Sequence, residues 1–317
     1  MNQITPNLKY ETYDEYCKSF DSEYDLKYPN VLNKIEHVYA IGDVHVDFNF
    51  LIETLFKINV IVINENIIDK YNIDRYKLSD NEIFNNTLIV QVGDQIDGYR
   101  KNDTYNINRI PSSNFLIPKD ESIIKLMDKL GNEAYNQHRN FHVLSLLGNH
   151  ELLNIIGDFR YSFNPDSSKE IILKRKKMIT KIFHNLICNR NIIILVNDTT
   201  IFAHAGIIND SINCINFLMN STDNKYKINI NDHNIISKYN NLCKIILYYI
   251  IKNNGKYNFN NIIDQLYTNI FALRNYDYTN DEDCNSFELI SQILHIDNMI
   301  IGHNSQDDGS IKIRKCI

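Results

Sequence analysis

Five short apolar runs are spread along the chain, and each ends abruptly at a glycine or a polar residue. They cover residues 37–41, 87–92, 144–147, 201–203 and 299–301. Short apolar runs that are bounded by turn residues are typical of β-strands buried in a sheet. We therefore predict five core strands, each followed directly by a sharp turn.

Between these strands, apolar residues recur at the spacing of three and four that is typical of amphipathic helices. The segments with helical spacing or composition are 10–20, 51–56, 123–130 and 171–183. Ser167-Ser168-Lys169-Glu170 matches a helix-capping box before the last of these segments. Asn197-Asp198 lies between two apolar runs and predicts a β-hairpin. Strands that alternate with helices indicate an α/β fold.

The remaining segments suggest how the domain is organised. Residues 1–36 are polar and are predicted to form an N-terminal extension to a main domain over residues 37–317. Residues 59–86 and 99–119 lack a clean period and are predicted to be insertions, the second a long polar loop with two prolines. Residues 210–290 are predicted to be mostly helical or irregular and to form a cap or side wall.

Composition and charge narrow the class of protein. The chain has 317 residues, of which 44% are apolar and 23% charged, as is ordinary for a soluble globular protein. Its net charge of −6 argues against a nucleic-acid-binding protein, because such domains usually carry a basic excess. The basic stretch Lys174-Arg175-Lys176-Lys177 is predicted to be the solvated face of a helix rather than a binding patch.

Cysteine usage and the N-terminus bear on the cellular compartment. The six cysteines are scattered, with no C-x-x-C pair, which argues against a disulfide framework and favours a reducing compartment. The N-terminus has neither a basic start nor an apolar core, so no signal peptide is predicted. The apolar run near residues 243–251 is interrupted by Lys244 and is too short to cross a bilayer. We therefore predict a cytoplasmic protein without a membrane partner; the sequence leaves its oligomeric state open.

The residues that follow the five apolar runs are of the types that bind metals or move protons. In open α/β sheets, functional sites collect at the carboxyl ends of the strands. Aspartate, asparagine and histidine without thiolates form a mixed nitrogen and oxygen ligand set, unlike that of a structural zinc site. Such a set suits two ions that share a carboxylate, and this arrangement promotes the hydrolysis of phosphate esters. The candidate residues are Asp43, His45, Asp94, Asp97, Asn149, His150, His204 and His303.

In their order along the chain, these motifs resemble those of the calcineurin-like metallophosphoesterases. The matching segments are Gly42-Asp43-Val44-His45, Gly93-Asp94-Gln95-Ile96-Asp97, Gly148-Asn149-His150-Glu151, His204-Ala205-Gly206 and Gly302-His303. The third segment resembles the phosphoprotein phosphatase branch, and residues 148–161 are most similar to the Shewanella-like protein phosphatases. The resemblance implies an α/β fold of the α-β-β-α sandwich type, with two metals between the sheets and the active site at the carboxyl ends of the strands.

The same resemblance implies roles for individual residues. His150 is expected to be the general acid that protonates the leaving oxygen, and Asp97 is expected to orient it. The two ions are expected to be divalent manganese, iron or zinc. The implied metal ligands are Asp43 and His45 for the first ion, Asp94 as a bridge, and Asn149, His204 and His303 for the second ion.

The chain departs from the family pattern at two positions. Val46 stands where the first motif usually ends in glycine, and Gly98 stands where the second motif usually has a phosphate-binding arginine. Arg274 lies in a segment that resembles the family's second arginine motif, and it is our first choice for a phosphate-binding residue. Arg100 is the second choice, because a flexible Gly98 would let the chain loop outward and return. Arg160 is expected to buttress the third motif.

Three functions are compatible with these residues. The first is a metal-dependent phosphoprotein phosphatase, whose substrate is a phosphoprotein. The second is a hydrolase of dinucleoside polyphosphates or other small phosphoesters built on the same motifs. The third is a pseudophosphatase, a binding or scaffold protein that keeps the metal fold without turnover. The missing second-motif arginine favours the third hypothesis, whereas the intact ligand set and His150 oppose it.

Overall fold

Helices and strands follow one another along the chain much as the apolar spacing predicts. The computed structural model describes residues 10–98, 113–137, 139–163, 168–219, 227–229, 232, 234–253, 259–273, 276 and 282–304. The helices are α1 (Tyr10–Lys18), α2 (Tyr24–Lys27), α3 (Phe48–Lys57), α4 (Ser113–Asn136), α5 (Asn149–Ile156), α6 (Lys169–Cys188), α7 (Asn209–Met219), α8 (Ile235–Lys252), α9 (Asn260–Leu266) and α10 (Glu282–Leu294). The strands are β1 (Val31–Leu32), β2 (His37–Ile41), β3 (Ile61–Ile63), β4 (Tyr76–Leu78), β5 (Thr87–Gln91), β6 (Phe141–Ser145), β7 (Ile193–Val196), β8 (Thr200–Ala203) and β9 (Asn298–Ile301).

These elements belong to two compact units, and the chain passes between them more than once. The first unit combines described residues from Met1–Asn33, Leu146–Asn149 and Asn191–Ile317. The second unit combines those from Lys34–Ser145 and His150–Arg190. Each unit has its own main sheet, so the chain is a mixed α/β protein, as predicted.

The sheet of the second unit brings the ends of three strands into register. Its strand order is β2-β5-β6 and both pairings are parallel, with Ile41 opposite Gln91 and Gln91 opposite Ser145. The motif residues that follow β2 and β5 therefore start at the same edge of the sheet. Leu51 of α3 and Leu130 of α4 are fully buried in the hydrophobic core of this unit. Strands β3 and β4 form a separate antiparallel pair.

The sheet of the first unit has the strand order β1-β7-β8-β9. Strands β7 and β8 form the predicted hairpin, and Asn197 and Asp198 have φ angles of 52° and 58° at its turn. Two consecutive residues with positive φ define the type I′ turn that joins twisted strands tightly. Strands β8 and β9 are parallel, with Ala203 opposite Ile301, so His204 and Gly302 directly follow neighbouring strand ends.

Some predicted features differ from the structure. Strand β2 is largely exposed, with Val38 40% and Tyr39 37% accessible, whereas β6 at the other edge of the same sheet is buried beneath α4. Helix α4 begins at Ser113, so the end of the predicted loop 99–119 is helical. Pro118 suggested a loop, but a single proline removes one intrahelical hydrogen bond without ending this helix.

The cysteines also differ from the prediction, which argued against a disulfide framework. Cys17, Cys188 and Cys284 are disulfide-bonded, whereas Cys214 and Cys243 are free and buried. The spacing along the chain could not reveal this, because disulfide pairing depends on distance in the folded protein. Within the described segments, no helix has both the length and the apolar character needed to span a membrane.

Candidate metal centre and active site

Two motif loops of the second unit are hydrogen-bonded to each other through their backbones. The amides of Val44 and His45 both donate to the carbonyl of Asp94, at 3.0 and 2.9 Å. His45, Asp94 and Asp97 adopt positive φ angles of 43°, 52° and 67°. Non-glycine residues rarely adopt such angles, and they concentrate where function requires a strained backbone. The strain coincides with residues that the sequence singled out.

Side chains from these loops lie close together and form a group of possible metal ligands. His45 Nε2 lies 3.9 Å from Asp43 Oδ2 and 3.9 Å from Asp94 Oδ2. One ligand atom each of His45, Asp94 and His150 lies within 4.8 Å of the others. Two donor atoms that each bind one ion at about 2.1 Å can be at most about 4.2 Å apart. The separations of His45 from Asp43 and from Asp94 are each within this limit, so either pair could bind one divalent ion.

Glu151 holds the second motif loop in place, a role that sequence reasoning missed. Its carboxylate accepts backbone N–H bonds from Asp94, Gln95 and Ile96 at 2.9, 2.8 and 3.3 Å. Glu151 is fully buried, so these bonds satisfy a carboxylate that would otherwise be costly to bury. The position of Asp94 thus depends on the last residue of the Gly148–Glu151 motif. The sequence signal was an acid directly after the candidate residues Asn149 and His150.

His150 and Asp97 form the predicted pair. His150 Nδ1 lies 3.2 Å from Asp97 Oδ2, and both side chains are buried. An ionised carboxylate can only accept, so the proton of this bond is on Nδ1. The other ring nitrogen, Nε2, lies 3.8 Å from Asp94 Oδ2, on the side of the candidate metal ligands. This orientation suits a proton donor to a bound phosphoester.

Behind Asp97 lies a buried polar network that the sequence analysis did not predict. Arg175 is completely buried and donates to Asp97 Oδ1 at 2.8 Å, to Asn154 Oδ1 at 2.7 Å and to Asp120. The prediction that 174–177 is a solvated helix face is wrong for Arg175, although its lysine neighbours are exposed. The helical spacing could have indicated this burial, because Arg175 follows Ile171 by four residues and so lies on the apolar face of α6.

The network sets the charge state of its two carboxyl groups. Burial alone would raise the pKa of Asp97, but Arg175, His150 and the hydroxyl of Ser162 together lower that pKa below its usual value. Burial raises the pKa of Asp120 to about 6, although Arg175 acts in the opposite direction. Asp97 is therefore ionised at neutral pH, as an acceptor of the His150 proton must be.

The raised pKa of Asp120 predicts a pH-dependent contribution to stability. The folded protein holds this proton more tightly than the unfolded chain, in which the pKa is near 3.8. The stabilising contribution is therefore complete below about pH 4 and is lost as the pH rises through about 6. Relative to Asp120→Asn, the wild-type free energy of unfolding should fall by roughly 1–3 kcal/mol over that window. Urea unfolding of both proteins measures this difference; a constant or rising value would contradict the assignment.

The first unit carries the other predicted ligands. His204 Nε2 lies 2.9 Å from Asn149 Oδ1, and the His204 and His303 rings are 5.0 Å apart between centroids. The amide of Gly302 donates to the carbonyl of His204 at 2.9 Å, which ties the two strand ends together. His303 has a φ angle of 65°, again a strained backbone at a predicted ligand. Two imidazoles and an amide oxygen are suitable ligands for a divalent transition metal.

Gly206 in the His204-Ala205-Gly206 motif has a structural explanation. Its φ angle is 92°, and an added Cβ would lie 2.5 Å from two ring atoms of Tyr276. The Tyr276 hydroxyl donates to the carbonyl of Ile207 at 2.7 Å. Only glycine satisfies both the backbone angle and the close approach of the ring. This packing fixes the turn that directly follows His204.

The structure places one of the three candidate phosphate-binding arginines. Arg160 is exposed and its guanidinium pairs with Asp158 in the same loop, an arrangement that contributes little stability. Arg100 and Arg274 lie outside the described residues. The loop expected after Gly98 lies outside the described residues, and Gly98 itself has no φ angle in the left-handed region. An added Cβ at Gly98 would instead lie 3.1 Å from the His45 carbonyl and 3.4 Å from Val46 Cβ.

Comparison with known proteins identifies the family. The model of the calcineurin-like phosphoesterase family matches residues 36–303. Two similar solved structures are of a cold-active protein tyrosine phosphatase. One, determined at 1.1 Å, is 19% identical with a TM-score of 0.56 and covers 90% of this chain and 70% of that chain. The other, from a psychrophilic Shewanella species, is 20% identical with a TM-score of 0.55 and covers 89% and 70%. No curated protein matches the chain.

The fold and the motif residues thus define a phosphoesterase of the metal-dependent class. The family model covers most of the chain, and the chain belongs to the calcineurin-like phosphoesterase family. The family assignment made from the motifs is therefore confirmed. The likeness to the solved phosphatases, at these identities, shows a shared fold.

Proposed function

We propose that the protein is a metal-dependent phosphoprotein phosphatase that hydrolyses phosphate monoesters. The observation that carries this proposal is that His45 Nε2 lies 3.9 Å from both Asp43 and Asp94, beside the His150–Asp97 pair. Possible ligands for an ion and a positioned proton donor are the parts that phosphoester hydrolysis requires. Two solved structures that share this fold are of a protein tyrosine phosphatase, and this supports the choice of phosphoproteins over other phosphoesters.

The proposal includes two divalent ions, manganese, iron or zinc, with the ligands that the family resemblance implies. When bound, such ions polarise the phosphoryl group and lower the pKa of water towards ~7. Asp94 is the shared carboxylate, and Glu151 fixes its backbone. The proposed ligands are Asp43, His45 and Asp94 for the first ion, and Asp94, Asn149, His204 and His303 for the second.

His150 provides the proton that the leaving oxygen needs. Its Nδ1–H is held by Asp97, and its Nε2 faces the side of Asp94. An alkoxide leaves poorly from phosphorus, so protonation by His150 as the bond breaks lowers the barrier. Asp97 stabilises the imidazolium that donates this proton and fixes the direction of the ring.

For the other parts of the chain, the proposal keeps the organisation expected from the sequence. Residues 37–317 form the phosphoesterase domain, residues 1–36 its N-terminal extension, and the helical region 210–290 its cap or side wall. Residues 59–86 and 99–119 are insertions. We also propose a protein that acts on phosphoproteins and does not require nucleic acid or a membrane. The cytoplasmic location expected from the sequence stays a prediction, and the three disulfide-bonded cysteines count against it, because disulfides are rare in reducing compartments.

A substrate panel tests the proposed function. The purified protein, reconstituted with manganese, is assayed on phosphotyrosine, phosphoserine and phosphothreonine peptides and on diadenosine tetraphosphate. Release of phosphate from at least one peptide, abolished by a chelator, is expected. Exclusive cleavage of diadenosine tetraphosphate would replace the proposal by that of a small-molecule hydrolase. Binding of phosphopeptides without release of phosphate from any substrate would identify a pseudophosphatase.

A series of arginine variants tests which side chains bind the phosphate. We propose Arg274 first and Arg100 second, because a planar guanidinium can make two parallel bonds to a phosphate. Arg274→Ala and Arg100→Ala should each lower kcat/KM on a phosphopeptide by about 10- to 100-fold, whereas Arg160→Ala should change it little. Lysine variants are the controls, since lysine keeps the charge without the fork. Unchanged turnover and phosphate inhibition in Arg100→Ala would exclude Arg100.

A further inference from the structure

Arg175 is a buried charged residue that is linked through Asp97 to His150, the proposed proton donor. Three of its nitrogens donate, one each to Asn154, Asp120 and Asp97. Its side chain has no accessible surface, and neither has that of Asp97. Burying a guanidinium is costly even when it is paired, and replacing a whole buried ion pair by apolar residues of similar volume is often neutral or stabilising. Stability alone is therefore a weak reason for an arginine at this position.

The contacts of Asp97 show what Arg175 adds. Asp97 Oδ1 accepts from Arg175 at 2.8 Å and from the Ser162 hydroxyl at 2.6 Å. Asp97 Oδ2 accepts from Asn154 Nδ2 at 2.6 Å and faces His150 Nδ1 at 3.2 Å. Each carboxylate oxygen thus has two partners, which fixes the plane of the group. Among these partners, Arg175 is the only group other than His150 that can carry a positive charge.

Arg175 also controls its neighbours through Asp120 and Asn154. Asp120 Oδ1 accepts the backbone N–H of Asp97 at 3.1 Å, so the same pair holds the main chain and the side chain of Asp97. Asn154 Oδ1 accepts from Arg175, and this contact turns the Asn154 amide so that its Nδ2 faces Asp97. Without the guanidinium, Asp97 would lose its own bond to Arg175, and Asp120 and Asn154 would lose the contact that orients them towards Asp97.

We propose that Arg175 is a positioning residue for proton transfer: it fixes Asp97, and through Asp97 it fixes the ring of His150 towards the leaving group. The inference rests on the proposed function. Arg175 does not touch the reacting atoms and acts only through Asp97. Its loss should therefore affect substrates in proportion to their need for a proton.

Leaving-group dependence distinguishes this role from a merely structural one. Phenyl phosphate has a poor leaving group that needs protonation, whereas the p-nitrophenolate of p-nitrophenyl phosphate leaves unaided. Arg175→Met should lower kcat for phenyl phosphate by about 10²-fold and for p-nitrophenyl phosphate by about threefold or less. Bound metal should be unchanged. Arg175→Lys should restore part of the loss, because lysine keeps the charge but not the fork.

Arg190 offers a matched control in the same unit. It is also fully buried, and it donates to Asp128 at 2.7 Å and to Gln95 at 3.0 Å without contacting Asp97. Arg190→Met should destabilise the fold without changing the ratio of the two kcat values. An equal loss on both substrates in Arg175→Met, or the same ratio in both arginine variants, would overturn the proposal.

A readout that does not depend on turnover separates this inference from the proposed function. In the metal-free protein, nitrogen NMR of the His150 ring should show the proton on Nδ1, and Arg175→Met should give a mixture of tautomers. If Arg175→Met fails to fold, Arg175→Lys is measured by both methods. An unperturbed tautomer and an unchanged kcat ratio in the folded variant would refute the positioning role. A wild-type protein with no activity but with the Nδ1 tautomer would refute the proposed function alone.

Discussion

Asp94→Asn is expected to lower phosphatase turnover by about 10³-fold or more and to remove most of the bound metal. Asp94 Oδ2 lies 3.9 Å from His45 Nε2 and 3.8 Å from His150 Nε2, and Oδ1 accepts the His150 amide at 2.9 Å. As the proposed shared ligand, it contributes a negative charge to both ions. The substitution keeps the shape of the side chain but removes that charge, so both ions lose affinity together.

The fold should survive this change, which makes the result interpretable. The backbone N–H of Asp94 still donates to Glu151, and the substitution leaves the size of the residue unchanged. Asp74→Asn, the same chemical change at an exposed position of the same unit, is the control and should behave as wild type. Metal content by elemental analysis and turnover on a phosphopeptide measure the effect. Full metal occupancy with near wild-type turnover in Asp94→Asn would remove Asp94 from the site.

His150→Asn is expected to lower turnover on alkyl phosphates by about 10²- to 10⁴-fold while bound metal stays at the wild-type level. The reason is that we propose His150 as the proton donor: it follows the proposed ligand Asn149, and its Nδ1 lies 3.2 Å from Asp97 Oδ2. The loss should shrink for p-nitrophenyl phosphate, whose leaving group requires no proton. Steady-state kinetics on both substrates measure this difference.

His142→Asn provides the control for His150. His142 is a partly buried histidine of the same unit, with Nε2 3.1 Å from Asn140 Oδ1, and its burial lowers its pKa to about 4. Because it matches no motif, its replacement should leave the ratio of the two turnover numbers unchanged. If His150→Asn lost the same factor on good and poor leaving groups, the histidine would be a structural residue and the proton donor would lie elsewhere.

The sequence predicted the parts of the protein that local patterns encode. Strand ends followed by glycine and a polar residue located the motif loops, and the hairpin turn at Asn197-Asp198 was predicted from its residue types. Family membership followed from the order of the motifs and is confirmed. These features depend on neighbours in the chain, which a sequence shows directly.

The features that the sequence did not reveal depend on distant neighbours. Arg175 was assigned to solvent because its adjacent lysines are charged, yet its partners Asp97 and Asp120 are more than fifty residues away. Glu151 similarly serves a loop that precedes it by more than fifty residues. A buried ion pair can be recognised only once both partners are known, since either charge alone indicates an exposed position. The disulfide-bonded cysteines were missed for the same reason.

The number of metal ions held by the wild-type protein tests the central claim most directly. The protein is stripped with a chelator, reconstituted with manganese, iron or zinc, freed of excess metal and analysed for its ions while phosphate monoester hydrolysis is followed. We predict two ions per chain with at least one of these metals, with activity that rises as the second ion binds. Trace occupancy with all three metals, or hydrolysis that continues in the stripped protein, would contradict a metal-dependent phosphatase.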